Sequence, residues 1–159
     1  PYLSNDMVGA EIGGAVKNVI AIACGVVEGA GLGQNARASL ITRGFAEMTR
    51  FGLAKGGRAE TLAGLAGLGD LVLTCSSTSS RNFSLGKGLG EGQAAAALLA
   101  DRRTVAEGAH SAPVVQEAAS AMGIDMPIVA AVNQLLSSAA DVQSVISALL
   151  SRPLRSEGH

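Results

Sequence analysis

The run from Val8 to about Val27 consists of small and aliphatic residues, and it places Gly9, Gly13 and Gly14 where a surface helix would carry larger side chains. Glycine inside a helix costs about 1 kcal/mol relative to alanine, so repeated glycine in a helical run predicts close approach by another backbone. The run is therefore expected to be the central helix of an all-α domain. Composition agrees, because aromatics are only 3% of the chain while Ala, Leu and Gly abound, which suits closely packed helices better than sheets of aromatic and β-branched residues. Glu11, Lys17 and Glu28 interrupt the run and no basic stretch precedes it, so it is read as neither a signal peptide nor a membrane span.

A length of 159 residues fits one domain, enough to bury roughly 70% of the unfolded chain's surface. The net charge of -1 favours neither nucleic acid nor an anionic membrane as a partner, and any charge used for function must be local. Cys24 and Cys75 lie far apart in sequence, with neither a disulfide framework nor metal-ligand spacing, which implies a reducing, cytoplasmic home.

Along the chain, Gly29-Ala30-Gly31-Leu32-Gly33 is expected to end the first helix. Asn35 is read as the cap of a second, whose Leu40, Ile41, Phe45 and Met48 keep a helical period. Lys55-Gly56-Gly57 breaks it, and a helical turn from about Glu60 leads into residues 64–75, read as a tight, buried connection. Ser76 to Ser80 is a loop that delivers Arg81 and Asn82 to a helix start. Further helices are expected near Ala94 to Ala100, Pro113 to Met122, Pro127 to Leu136 and Val142 to Leu150, with a frayed tail beyond.

The glycines do not spell a nucleotide loop. Gly29 to Gln34 lacks the third glycine of GxGxxG and follows a helix rather than a strand, and Gly86-Lys87-Gly88 has no hydroxyl after its lysine. His110 and His159 have no helical partner for a metal and are read as solvated. Lys17 stands apart, because its neighbours from Ile12 to Cys24 offer almost no polar atoms. It is either a snorkelling lysine that reaches solvent or an ammonium disfavoured by its surroundings and so suited to proton transfer. Asp70, between Gly69 and Leu71-Val72-Leu73, either caps a helix or faces a polar partner inside the fold. Ser80-Arg81-Asn82 puts a hydroxyl, a guanidinium and an amide at a helix start, a combination suited to an anion or to an ordinary solvated loop.

Residues 14–23, 35–44 and 64–75, followed by Ser80-Arg81-Asn82, together resemble bacterial NAD(P)-dependent glycerol-3-phosphate dehydrogenases. The likeness runs in order from about Asn5 to Arg152-Pro153-Leu154. It implies an all-helical substrate domain of the 6-phosphogluconate dehydrogenase C-terminal type, whose partner is an N-terminal Rossmann domain of the same protein, absent from this chain, that binds most of the NAD(P). Residues 1–8 then end the inter-domain connection, 9–152 form the domain and 153–159 the tail. By the same resemblance Lys17 matches the proton acceptor and a substrate contact. Asp70, Ser80, Arg81 and Asn82 match substrate-binding positions, and Arg81, Val105 and Glu107 match positions that touch the cofactor.

The implied reaction interconverts glycerone phosphate and sn-glycerol 3-phosphate for glycerophospholipid synthesis. The resemblance leaves a homodimer open. Two departures stand out, since Phe83-Ser84 follow the triplet where basic residues are common and Gln34 replaces an acid. Two other readings use the same residues: the helical domain of a hydroxy-acid dehydrogenase, or a non-catalytic dimerisation module with Lys17 at its surface.

Overall fold

The computed structural model describes residues 5–101, 103 and 105–151, and all regular structure among them is helical. The expected tail, 153–159, lies outside the described residues. The first helix, α1 (Met7–Gly29), begins one residue before and ends two residues after its sequence reading. From Val19 to Val27 every residue is buried, so the helix has no solvent face there and is the axle of the fold. It packs against α2 (Gly33–Ala54), α4 (Asp70–Thr74), α5 (Arg81–Gly90), α7 (Glu107–Ala121) and α8 (Pro127–Leu136). By length and composition α1 is also apolar enough to cross a membrane, but here those side chains are the core of a helical domain.

The glycine expectation is met in part. A Cβ on Gly13 would lie 2.7 Å from the Ala66 carbonyl, whereas one on Gly14 would meet nothing within 4 Å, so Gly14 serves no close approach. The tightest crossing lies further along. Gly25 and Gly29 of α1 face Gly86 and Gly90 of α5, and a Cβ at any of the four would overlap a carbonyl oxygen of the other helix. Paired glycines one turn apart on both helices let two backbones touch, which places the start of α5 relative to Lys17.

Two expected helix starts are corrected. Asn35 does not cap α2, which begins at Gly33, where a φ of 85° demands glycine. Helix α7 begins at Glu107 rather than at Pro113, so the proline sits inside it. The cap that starts it early comes from Asn82, far away in sequence. Residues 64–75 are also not simply a buried connection. After α3 (Ala59–Ala63), a π-helical turn, Leu65–Gly69, runs into α4. One face, with Gly67, Leu71 and Cys75, is buried against its neighbours, while Leu65 (70%) and Leu73 (69%) stay exposed on either side of Asp70. The remaining helices, α6 (Ala95–Ala100), α8 and α9 (Val142–Leu150), lie where the sequence places them.

Cys24 and Cys75 meet in the core as free thiols. The hydrogen bond with Cys24, reinforced by burial, holds the Cys75 thiol well above its ordinary range, which makes Cys75 an inert packing group. Asp6 caps α1 by accepting from Gly9 N–H at 2.9 Å, and it accepts from Arg58 N–H at 2.8 Å. These bonds, Arg58's first, hold its carboxyl below the usual range.

Glu47 of α2 is buried and accepts from Ile128 N–H at 2.8 Å and Val129 N–H at 3.4 Å at the start of α8. Burial raises its carboxyl from 4.5 to about 7, outweighing those bonds. Because the folded value lies above the unfolded one, folding takes up a proton between them. Stability therefore falls as pH rises from 4.5 to about 7, by roughly 3 kcal/mol for a shift of this size. Thermal melts at pH 5 and pH 8 should show a larger drop for the wild type than for Glu47→Gln, which cannot ionise; parallel drops would remove Glu47 as the cause.

Candidate active site

Lys17 lies on the half-buried flank of α1, two residues before the fully buried stretch. Its Nζ donates to Asp70 Oδ2 at 2.8 Å, and the two side chains are 21% and 45% exposed. The polar partner missing from α1 itself is thus supplied by the turn of backbone that carries Asp70. The wide π turn, closed by Gly69 N–H donating to the Gly64 carbonyl at 3.1 Å, sets Asp70 over α1. Its glycines admit the contact, since Gly13 leaves room for the Ala66 carbonyl and Gly67 sits against Leu62. The Asp70 carboxylate accepts from Nζ and fixes the direction of the Lys17 side chain. Asp70 therefore faces a polar partner, the second of the two readings its sequence left open.

A cleft of about 260 Å³ opens beside this pair, lined by Lys17, Asn18, Thr74, Ser80, Arg81, Asn82, Val105 and Glu107. Four stretches of sequence converge here, and every position singled out from sequence lies either on the cleft or, like Asp70, against a residue that lines it. Asn18 and Thr74 were not singled out. Asn18 follows Lys17 directly and sits within reach of Glu107, its Nδ2 donating to Oε2 at 3.5 Å. Thr74 is one helical turn after Asp70, so i, i+4 spacing was the signal that pointed to it.

Ser80 caps α5, its Oγ accepting from Phe83 N–H at 3.2 Å, and its hydroxyl proton remains available to the cleft. Arg81 follows, exposed and with no ion-pair partner among the described residues. Asn82 is 8% exposed and its Oδ1 accepts from Gly108 N–H at 2.8 Å. The first turn of α5 thus presents backbone N–H groups, a free guanidinium and a hydroxyl to one space, a set of donors suited to an anion. Val105, 48% exposed, and Glu107 line the same cleft. The cleft holds a wall of donors suited to an anion and, beside it, a lysine oriented by a carboxylate, which suits transfer of one proton to or from an oxygen held there.

Comparison with known proteins gives the family of the chain. Residues 6–147 match the family described as NAD-dependent glycerol-3-phosphate dehydrogenase C-terminus. The chain is 72% identical, over 99% of its length and 47% of the relative's, to glycerol-3-phosphate dehydrogenase (NAD(P)+) of Erythrobacter litoralis. It is 70% identical, over 99% of its length and 48% of the relative's, to the enzyme of that name numbered 1 in Sphingopyxis alaskensis. The crystal structure of glycerol-3-phosphate dehydrogenase from Coxiella burnetii superposes with a TM-score of 0.91 at 44% identity, covering 95% of this chain and 46% of that one. The chain spans about half the length of the curated relatives it matches. With a family match over nearly all of the described residues and the same helical architecture, this chain belongs to the NAD-dependent glycerol-3-phosphate dehydrogenase family, as its C-terminal domain.

Proposed function

We propose that the chain is the substrate-holding, catalytic half of an NAD(P)-dependent glycerol-3-phosphate dehydrogenase that interconverts glycerone phosphate and sn-glycerol 3-phosphate. The observation that carries this reading is the Lys17–Asp70 pair opening on the same cleft as the start of α5. The nicotinamide, when bound, supplies the hydride chemistry at substrate C2. Lys17 gives its proton to the oxygen that forms at C2 during ketone reduction and takes it back in the reverse direction. Asp70 keeps Nζ aimed at that oxygen. Arg81, Asn82, Ser80 and the N–H groups of α5 hold the phosphate, so binding energy far from C2 places C2 for reaction.

Val105, Glu107 and Arg81 fit the edge of a dinucleotide, since they line the same cleft as Lys17. Among the described residues no strand leads into a glycine loop, so the main cradle falls to an N-terminal domain, the partner in this reading. A cytoplasmic setting and a homodimer belong to the same reading; the free thiols support the first, and sedimentation of the full-length enzyme measures the second.

Arg81 supplies the test. In the full-length enzyme Arg81→Ala should raise the KM for glycerone phosphate by at least about tenfold, the loss of one charge-assisted bond. Arg81→Lys should recover only part, because a point charge does not reproduce a planar fork. Steady-state kinetics against glycerone phosphate and an uncharged ketone of similar size decides it: an unchanged KM, or equal losses for both ketones, would refute phosphate binding here.

A further inference from the structure

Helix α7 has no cap of its own. Its N-cap residue, Ala106, has no side-chain acceptor, and the Gly108 N–H in its first turn is answered from 26 residues away by Asn82 Oδ1 at 2.8 Å. A backbone N–H only donates, so the amide oxygen must face Gly108, which fixes the orientation of the Asn82 side chain. The amide nitrogen then points away. It has no partner among the described residues, yet no buried side-chain nitrogen or oxygen among them lacks one. It therefore lies at the surface of the cleft that Asn82 lines.

Gly108 is seated as tightly on its other side, where a Cβ would lie 2.7 Å from the Asn18 carbonyl oxygen and 2.8 Å from Asn82 Oδ1. The segment it anchors carries Val105 and Glu107, and Asn18 reaches Glu107 as well. A single amide thus belongs at one end to the start of α5 and at the other to the segment that carries Val105 and Glu107.

We infer that Asn82 and Gly108 form a joint that couples the phosphate-binding start of α5 to the cofactor-facing segment 105–108, with Gly108 as its positioning residue. The inference rests on the proposed function for what binds at each end. An anion accepting from Asn82 Nδ2 polarises the amide and strengthens its oxygen as an acceptor, so substrate binding firms the seat of Val105 and Glu107. Linkage makes the effect reciprocal.

The test compares two substitutions in the full-length enzyme. Asn82→Asp keeps an acceptor for Gly108 N–H but loses the donor to phosphate; Asn82→Ala loses both. Both should raise the KM for glycerone phosphate. Only Asn82→Ala should weaken NADH or NADPH binding, by about tenfold for one lost buried bond, and only it should speed exchange of the Gly108 amide. Gly108→Ala, whose methyl would crowd the Asn18 carbonyl and Asn82 Oδ1 and so force the joint apart, should weaken dinucleotide binding in the same way. If the wild type turned over glycerone phosphate yet Asn82→Ala bound dinucleotide as the wild type does, the joint alone would be overturned. A wild type without turnover would overturn the functional reading, and the joint with it.

Discussion

In the full-length enzyme, Lys17→Ala is expected to lower kcat by at least about 100-fold, the low end for losing a positioned proton donor. The structure gives the reason in two parts. Lys17 projects from a helix whose next turns are completely buried against its neighbours. Its Nζ is held by Asp70 at 2.8 Å while remaining on the cleft. Lys17→Arg separates charge from proton transfer, because arginine keeps the positive charge but does not release its proton near neutral pH. Arginine should therefore restore substrate binding in part and kcat hardly at all. Single-turnover rates with saturating glycerone phosphate make the distinction, since they report chemistry rather than product release. If Lys17→Arg kept near-normal turnover, proton transfer would belong to another group and Lys17 would only position the substrate.

The largest effect on stability is expected at the crossing of α1 and α5. Gly86→Ala should cost about 3 kcal/mol, the upper part of the range for overpacking a core, because the new methyl overlaps the Ile22 carbonyl. Backbone cannot rotate aside as a side chain can, so α5 must move away from α1. For a chain of this size the thermal midpoint should fall by roughly 6–12 °C. Gly14→Ala is the contrasting case. Its Cβ would enter open space, so only helix propensity acts and the chain should gain up to about 1 kcal/mol. Melts of both variants in this chain settle the matter: equal destabilisation at the two positions would mean that backbone contact between the helices is not what the glycines provide. Displacing α5 also moves Ser80, Arg81 and Asn82, which ties the stability of this crossing to the geometry of the cleft.

Much of the architecture was legible in the residues themselves. Periodicity and punctuation located α1, α8 and α9 to within a residue or two, since a long apolar run and a proline at a helix start act locally. The odd polar residues were legible too, because a lysine in an apolar helix and an acid in an apolar turn each need a partner. The resemblance carried the rest of the candidate site, including Val105 and Glu107, which no local pattern marks. What failed had non-local causes. The start of α7 depends on a cap from Asn82. The role of Gly25 and Gly29 depends on Gly86 and Gly90, more than fifty residues later. Gly13 and Gly14 are adjacent and chemically identical, yet only one faces another backbone.

The sequence by itself determined that the chain is helical, that α1 is its core, and that Lys17, Asp70 and the triplet from Ser80 are its chemically unusual residues, because spacing and side-chain chemistry are properties of the chain. Only the tertiary structure decided which partner each residue has. It set Asp70 on Lys17, turned the Asn82 oxygen to Gly108 and brought the Cys24 and Cys75 thiols together. The physical reason is that a hydrogen bond acts over about 3 Å, and which distant groups come that close is fixed by how the helices cross.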